Sequence, residues 1–122
     1  MPRAKKSKVD CVVTAVANAI GVAYQAVSAS AGKFPPEGLG YKNLIELMKH
    51  FGQWKQTNPA RSPTIEEWLR RHKAGQYILV MASGFVPGCH ALAAVDGDIL
   101  GQHDPSWPIA SYFTLLSEKR YA

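Results

Sequence analysis

Three side chains in this chain have the types and order needed to break an acyl bond: Cys11, His90 and Asp104. Cys11 stands in Asp10-Cys11-Val12-Val13-Thr14-Ala15-Val16-Ala17-Asn18-Ala19-Ile20-Gly21, a stretch apolar almost all round. A helix without a polar face has to be buried within its domain. Asp10 is the expected N-cap and Gly21 the expected C′ residue, which sets Cys11 at the first helical position. There the free backbone N–H groups and the positive end of the helix dipole favour a thiolate. His90 opens the apolar run His90-Ala91-Leu92-Ala93-Ala94-Val95, and Asp104 precedes Pro105 shortly after the next apolar segment. A thiol, an imidazole to hold its proton and a carboxylate to orient the imidazole form a nucleophile, base and orienter set. In that chemistry Cys11 attacks a carbonyl, His90 protonates the leaving group, and Asp104 stabilises the imidazolium, with the Cys11 backbone N–H as one oxyanion donor.

The strand pairing predicted around Asp96-Gly97-Asp98 tests this set geometrically. If those three residues form the loop of a hairpin, His90 falls opposite Asp104; a two-residue loop shifts its partner to His103 or Pro105. Opposite residues on one face have Cβ atoms about 5 Å apart, close enough for a carboxylate to fix the imidazole tautomer. Asp96 lies six residues along the strand from His90, roughly 20 Å away, so Asp104 is the acid expected beside it.

The order and wording of these segments resemble the C39 and C39-like peptidases of the papain-like superfamily. Those proteins open with an aspartate-cysteine pair on a helix rich in small residues, carry a histidine at the start of an apolar strand, and place an aspartate-proline pair after the following strand. Asp10-Cys11, His90 with the run to Val95, and Asp104-Pro105 stand in that order here, over about residues 8–116. The resemblance implies a papain-like fold and a cysteine hydrolase acting on a peptide or protein through Cys11, His90 and Asp104, with no cofactor and no metal. Short stand-alone relatives of this kind look like phage or bacterial proteins. Two positions depart from the family: Lys5 stands where an oxyanion-hole glutamine is usual, and Val12 where glycine usually follows the cysteine. These departures set a second expectation beside the first, a catalytically inactive papain-like interaction module, for example a phage protein binding a host factor.

The elements that must position the set follow from periodicity. After α-helical residues to 20, a second helical pattern covers 23–31 with Tyr24, Val27 and Ala31 on one face. Residues 33–40, with Pro35-Pro36 and two glycines, form a loop. An amphipathic helix spans 41–51 through Leu44, Ile45, Leu47, Met48 and Phe51, and 53–57 form a short strand or an extended connection. Thr64-Ile65-Glu66-Glu67 is a capping box opening a fourth helix, which passes through Trp68 and Leu69 to a basic last turn, Arg70-Arg71-His72-Lys73. Residues 76–83 read as a central strand, 89–95 and 99–102 as the hairpin, and 109–116 as another strand or a short edge element. The expected architecture is a single α+β domain over 1–122, with 1–8 a basic N-terminal arm, N-terminal helices and a central buried helix packed on a C-terminal antiparallel sheet.

Composition is that of one globular domain: 122 residues, 47% apolar and 19% charged. The net charge of +5 comes partly from Arg3, Lys5, Lys6 and Lys8. Beyond that arm the chain lacks the spaced cations and aromatics of a nucleic-acid surface, so nucleic acid is not the expected partner. No apolar run reaches the ~18 residues of a membrane span and the basic start has no apolar h-region, which predicts no membrane partner and a cytoplasmic protein, host cytoplasm if phage-encoded. Cys11 and Cys89 are too few for a disulfide framework. A metal set of Cys11, His90, His103 and Asp104 is the remaining chemical alternative, without a zinc-finger spacing to support it. His50 and His72 read as surface residues at helix ends. The substrate's identity and the oligomeric state are not legible.

Overall fold

In the computed structural model, which describes residues 8–31, 41–81, 91–101 and 103–118, four helices and five strands form one α+β unit. Side chains at 8–12, 30–31, 41–44 and 118 lie outside that description, as do Cys89 and His90 altogether. The order is α1 (Lys8–Ile20), α2 (Tyr24–Ala31), α3 (Tyr41–Phe51), β1 (Gly52–Thr57), α4 (Ile65–Arg71), β2 (Gln76–Met81), β3 (Ala91–Val95), β4 (Asp98–Leu100) and β5 (Ile109–Glu118). The strands make one antiparallel sheet in the order β1-β5-β2-β3-β4. β2 is central, as its apolar run Tyr77-Ile78-Leu79-Val80-Met81 predicts.

The expectation of helices first and sheet second needs correcting. β1 falls between α3 and α4, and β5, read from sequence as another strand or a short edge element, is the longest described strand and lies between β1 and β2. A strand with Ile109, Ser111 and Phe113 all buried requires neighbours on both sides.

The sheet is covered on both faces, and the alternation of its side chains sorts the core into two halves. Ile78, Ala93 and Phe113 face α1, α2 and α3, while Leu79, Met81, Ala94 and Ile109 face α4. Ile109 and Tyr112 share the α4 face although an unbroken strand would point them to opposite sides. A register shift opposite Val80 and Met81 inserts one residue there: Val80 pairs with Ser111 and Met81 with Ile109.

α1 is the buried helix its sequence predicts: Val13, Val16 and Ala19 have no exposure, and Ala15, Ala17 and Ile20 are buried. Its C-terminus is closed by Gly21 at φ 74, a left-handed conformation that lets the N–H groups of Gly21 and Val22 both donate to the Ala17 carbonyl. The Gln76 side chain donates to the Ala19 carbonyl at 2.8 Å, tying that end of the helix to the start of β2. Small residues on β3, Ala91 and Ala93, give α1 room to lie close to the sheet. α3 is anchored similarly, with Trp54 Nε1 on β1 donating to the Met48 carbonyl at 2.9 Å.

The hairpin has a two-residue turn, not three. Val95 pairs with Asp98, and Asp96 and Gly97 both have positive φ, 49 and 87, as a type I′ turn requires. The Asp96 carboxylate accepts from Gly75 N–H and Asp96 N–H donates to the Gly75 carbonyl, which clips the turn to the segment leaving α4.

Candidate functional site

Of the three residues expected to do chemistry, Asp104 is the one whose side chain the structure describes. It does not sit in the ladder. β4 ends at Leu100 and Gly101, at φ 120, turns the chain away, so neither His103 nor Asp104 is a cross-strand partner of β3. The two-residue turn sets the register one residue from the one that would pair His90 with Asp104, and His90 lies outside the described residues.

Asp104 instead heads a tight turn. Its carbonyl accepts from Trp107 N–H at 3.0 Å, with Pro105 at the second position where its fixed φ fits. Its carboxylate oxygen Oδ1 accepts from Ser106 N–H at 2.9 Å and from the Ser106 hydroxyl at 2.8 Å. The Ser106 backbone N–H, then its hydroxyl, and lastly the nearby His103, hold the Asp104 carboxyl below the usual carboxylate range. The other oxygen has no partner among the described residues, and the group is exposed.

This turn is held by the start of α4. Pro105 and Trp107 carbonyls accept from Glu66 and Ile65 N–H, both at 3.0 Å. Thr64 Oγ1 takes Glu67 N–H at 3.2 Å while Glu67 Oε1 takes Thr64 N–H at 3.0 Å, the predicted capping box. Trp68 N–H closes on the Thr64 carbonyl. The donors that a helix start leaves open are thus all satisfied, two of them by the Asp104 turn itself.

Cys11 is not at the first helical position, since α1 as described runs Lys8–Ile20 and already includes Lys8, Val9 and Asp10 before it. Asp10 is inside the helix and is not its cap, and residues 1–7 of the expected basic arm lie outside the described residues.

These pieces share one end of the sheet. Ala19 is fixed beside Gln76, whose strand partner is Val95, and α1 packs along β3 and β2. Its first turn therefore lies toward the opposite end, where Val80 pairs with Ala91. The antiparallel β4 runs out toward that same end, followed by His103 and Asp104. His103 donates Nδ1–H to the Gly101 carbonyl at 3.0 Å, leaving Nε2 as its acceptor. Of the four residues in the metal alternative, only His103 and Asp104 have described side chains. Among the described residues no group of three His, Cys, Asp or Glu side chains is placed to hold a metal ion.

Two features escaped the sequence reading. His72 is not a bare surface residue: its ring stacks on Trp68 with centroids 4.2 Å apart and planes 6° from parallel, and Nδ1–H donates to the Trp68 carbonyl. Tyr77 and Tyr112 pack edge-on around both rings. The four-residue spacing of Trp68 and His72 on a helix was the available signal. The second is a cleft of about 660 Å³ along α4, lined by Ile65, Leu69, Lys73, Asp96, His103 and Pro105 among others. The spacing of Ile65 and Leu69 puts both on one stripe of that helix.

No helix among the described residues is long and apolar enough to cross a membrane. Comparison of the chain with protein-family models, with curated proteins and with solved structures gives no match in any of the three.

Proposed function

We propose that this protein is a small cysteine hydrolase of the papain-like kind, cutting a peptide or isopeptide bond through a thioester on Cys11. His90 takes the proton from Cys11 Sγ, and the thiolate adds to the substrate carbonyl carbon. The tetrahedral adduct collapses as His90 returns that proton to the leaving amine, leaving an acyl group on sulfur. Water, giving its proton to His90, then attacks the thioester carbonyl and releases the acid and the thiol. Asp104 accepts a hydrogen bond from the imidazole and stabilises its charged form.

What supports the reading is the layout of the sheet: α1 is tied at Ala19 to the start of β2, and β4 with the Asp104 turn after it runs toward the other end, where β3 begins, with α1 and that turn over opposite faces. A pre-formed, exposed carboxylate held in its ionised form adds to that support. The inactive interaction module is favoured by a different observation, that Asp104 Oδ1 is already committed to Ser106.

Limited alkylation separates the two. At pH 6, a small excess of iodoacetamide should modify Cys11 well before Cys89, as read by peptide mapping of the whole protein. If Cys89 reacts as fast or faster, Cys11 is an ordinary thiol and the module reading replaces the hydrolase.

A further inference from the structure

The turn that carries Asp104 also shapes a shallow pocket of about 560 Å³, lined by Gly101, His103, Asp104 and Trp107. Each wall has a definite chemistry. Asp104 brings a carboxylate that is charged and fixed in direction. Its Oδ1 uses both lone pairs on Ser106, accepting from the N–H at 2.9 Å and from the hydroxyl at 2.8 Å. Its Oδ2 keeps both of its own, with no partner among the described residues. His103 brings a second acceptor: Nδ1 stands 3.0 Å from the Gly101 carbonyl, which can only accept, so the proton sits on Nδ1 and the lone pair on Nε2. Trp107 brings a half-buried indole, held in place because its N–H donates to the Asp104 carbonyl and its carbonyl accepts from Ile65 N–H.

The pocket's charge is unbalanced. Neither lysine nor arginine lines it, and the one ion pair among the described residues joins Glu66 to Arg70, so Asp104 has no countercharge there. Two acceptors from adjoining residues, one negative charge and an aromatic ring are complemented by a flat cation rich in donors. An ammonium group is a compact point charge. A guanidinium group carries its N–H donors in a planar fork and stacks on aromatic faces. Because Oδ1 is saturated, the fork cannot close on both oxygens of Asp104. It divides instead, one N–H to Oδ2 and one to His103 Nε2, with the plane against Trp107.

We propose that this pocket binds the guanidinium group of an arginine side chain presented by a peptide or protein partner. The assignment goes beyond the hydrolase reading and does not need it, since the two lone pairs of Oδ2 can serve an imidazole and a guanidinium together.

The probes are acetyl-Gly-Arg-Gly-amide and the same tripeptide with citrulline, the uncharged isostere, or lysine in place of arginine, titrated by NMR into the full-length protein. The arginine peptide should bind about tenfold tighter than the citrulline peptide and about threefold tighter than the lysine peptide. The largest shifts should fall at the Trp107 indole N–H and the amides of His103 and Ser106. Asp104→Asn keeps the Oδ1 acceptor for Ser106 but removes the charge, and should bring arginine level with citrulline. His103→Ala should bring arginine level with lysine. Equal binding of the arginine and citrulline peptides to the unaltered protein overturns the proposal without relying on any variant. An arginine lead over citrulline that survives Asp104→Asn, or one over lysine that survives His103→Ala, overturns it as well. Free arginine is the other source of the same group; if it binds tighter than the tripeptide, the peptide partner is overturned. Cys11 alkylation is read separately. Arginine binding as stated, with Cys11 no faster than Cys89, keeps the pocket and rejects the hydrolase, and the reverse result keeps the hydrolase and rejects the pocket.

Discussion

Replacing Ala93 with leucine tests how α1 is positioned, since the account makes its approach to β3 depend on the small residues there. Ala93 has no exposure, faces α1, and stands between Ile78 on β2 and Leu100 on β4. Leucine adds three carbon atoms at a site already in contact on every side. Burying an isobutyl group would ordinarily stabilise, but in a filled interior the added volume must push the helix or force a strained rotamer. Such overpacking costs about 1–3 kcal/mol. For a chain of 122 residues, an unfolding entropy near 2.1 cal/mol/K per residue makes each kcal/mol worth about 4 °C. The midpoint in differential scanning calorimetry should therefore fall by roughly 4–12 °C. Displacement of α1 should also reach its first turn, so Cys11 alkylation in the folded variant should change rate. An unchanged midpoint with unchanged alkylation would refute the close packing of α1 on β3.

Thr64→Ala removes the capping hydroxyl of α4 and should cost about 1 kcal/mol, or about 4 °C, in thermal unfolding; a neutral result means the backbone carbonyls of the Asp104 turn hold the helix start unaided. Trp68 is buried and its Nε1 has no hydrogen-bond partner among the described residues. Trp68→Phe should accordingly cost under about 1 kcal/mol in urea unfolding, against about 3–5 kcal/mol for Trp68→Ala, because losing the ring's extra carbons is offset by losing an unpaired donor. Equal damage from both would show that the N–H is satisfied. The Asp104 carboxyl is held low in the folded state, so it contributes stability above the unfolded value near ~3.9 and loses it as pH falls through the folded value. Asp104→Asn keeps the Oδ1 acceptor but cannot titrate, so its unfolding midpoint should vary less with pH over that acid range; a curve parallel to the unaltered protein would contradict the Ser106 interaction.

Local signals were the legible ones. Val13, Val16 and Ala19 announce a buried helix, Thr64 and Glu67 announce the start of α4, and Gly21 its counterpart at the end of α1. What could not be read depends on partners distant in sequence. Nothing within residues 109–118 says that they insert between β1 and β2, because that choice is made by facing residues such as Gln56 and Ile78, both pairing with Phe113. The hairpin shows the same limit at closer range. Asp96-Gly97-Asp98 supports a two- or three-residue loop on local chemistry, and that difference of one residue shifts every pairing in the ladder beyond it. Asp10 misled for a related reason: a good cap residue competes with the option of one more helical turn, and α1 took that turn.

The central claim is a thiol and an imidazole acting as a pair, and the rate of Cys11 alkylation as a function of pH tests it most directly. In the Cys89→Ser background, modification by iodoacetamide should proceed well below pH 7, and His90→Ala should return the profile to that of a free thiol near ~8.5. A profile that already rises only near that value, or one that His90→Ala leaves unmoved, would contradict the pairing and with it the hydrolase.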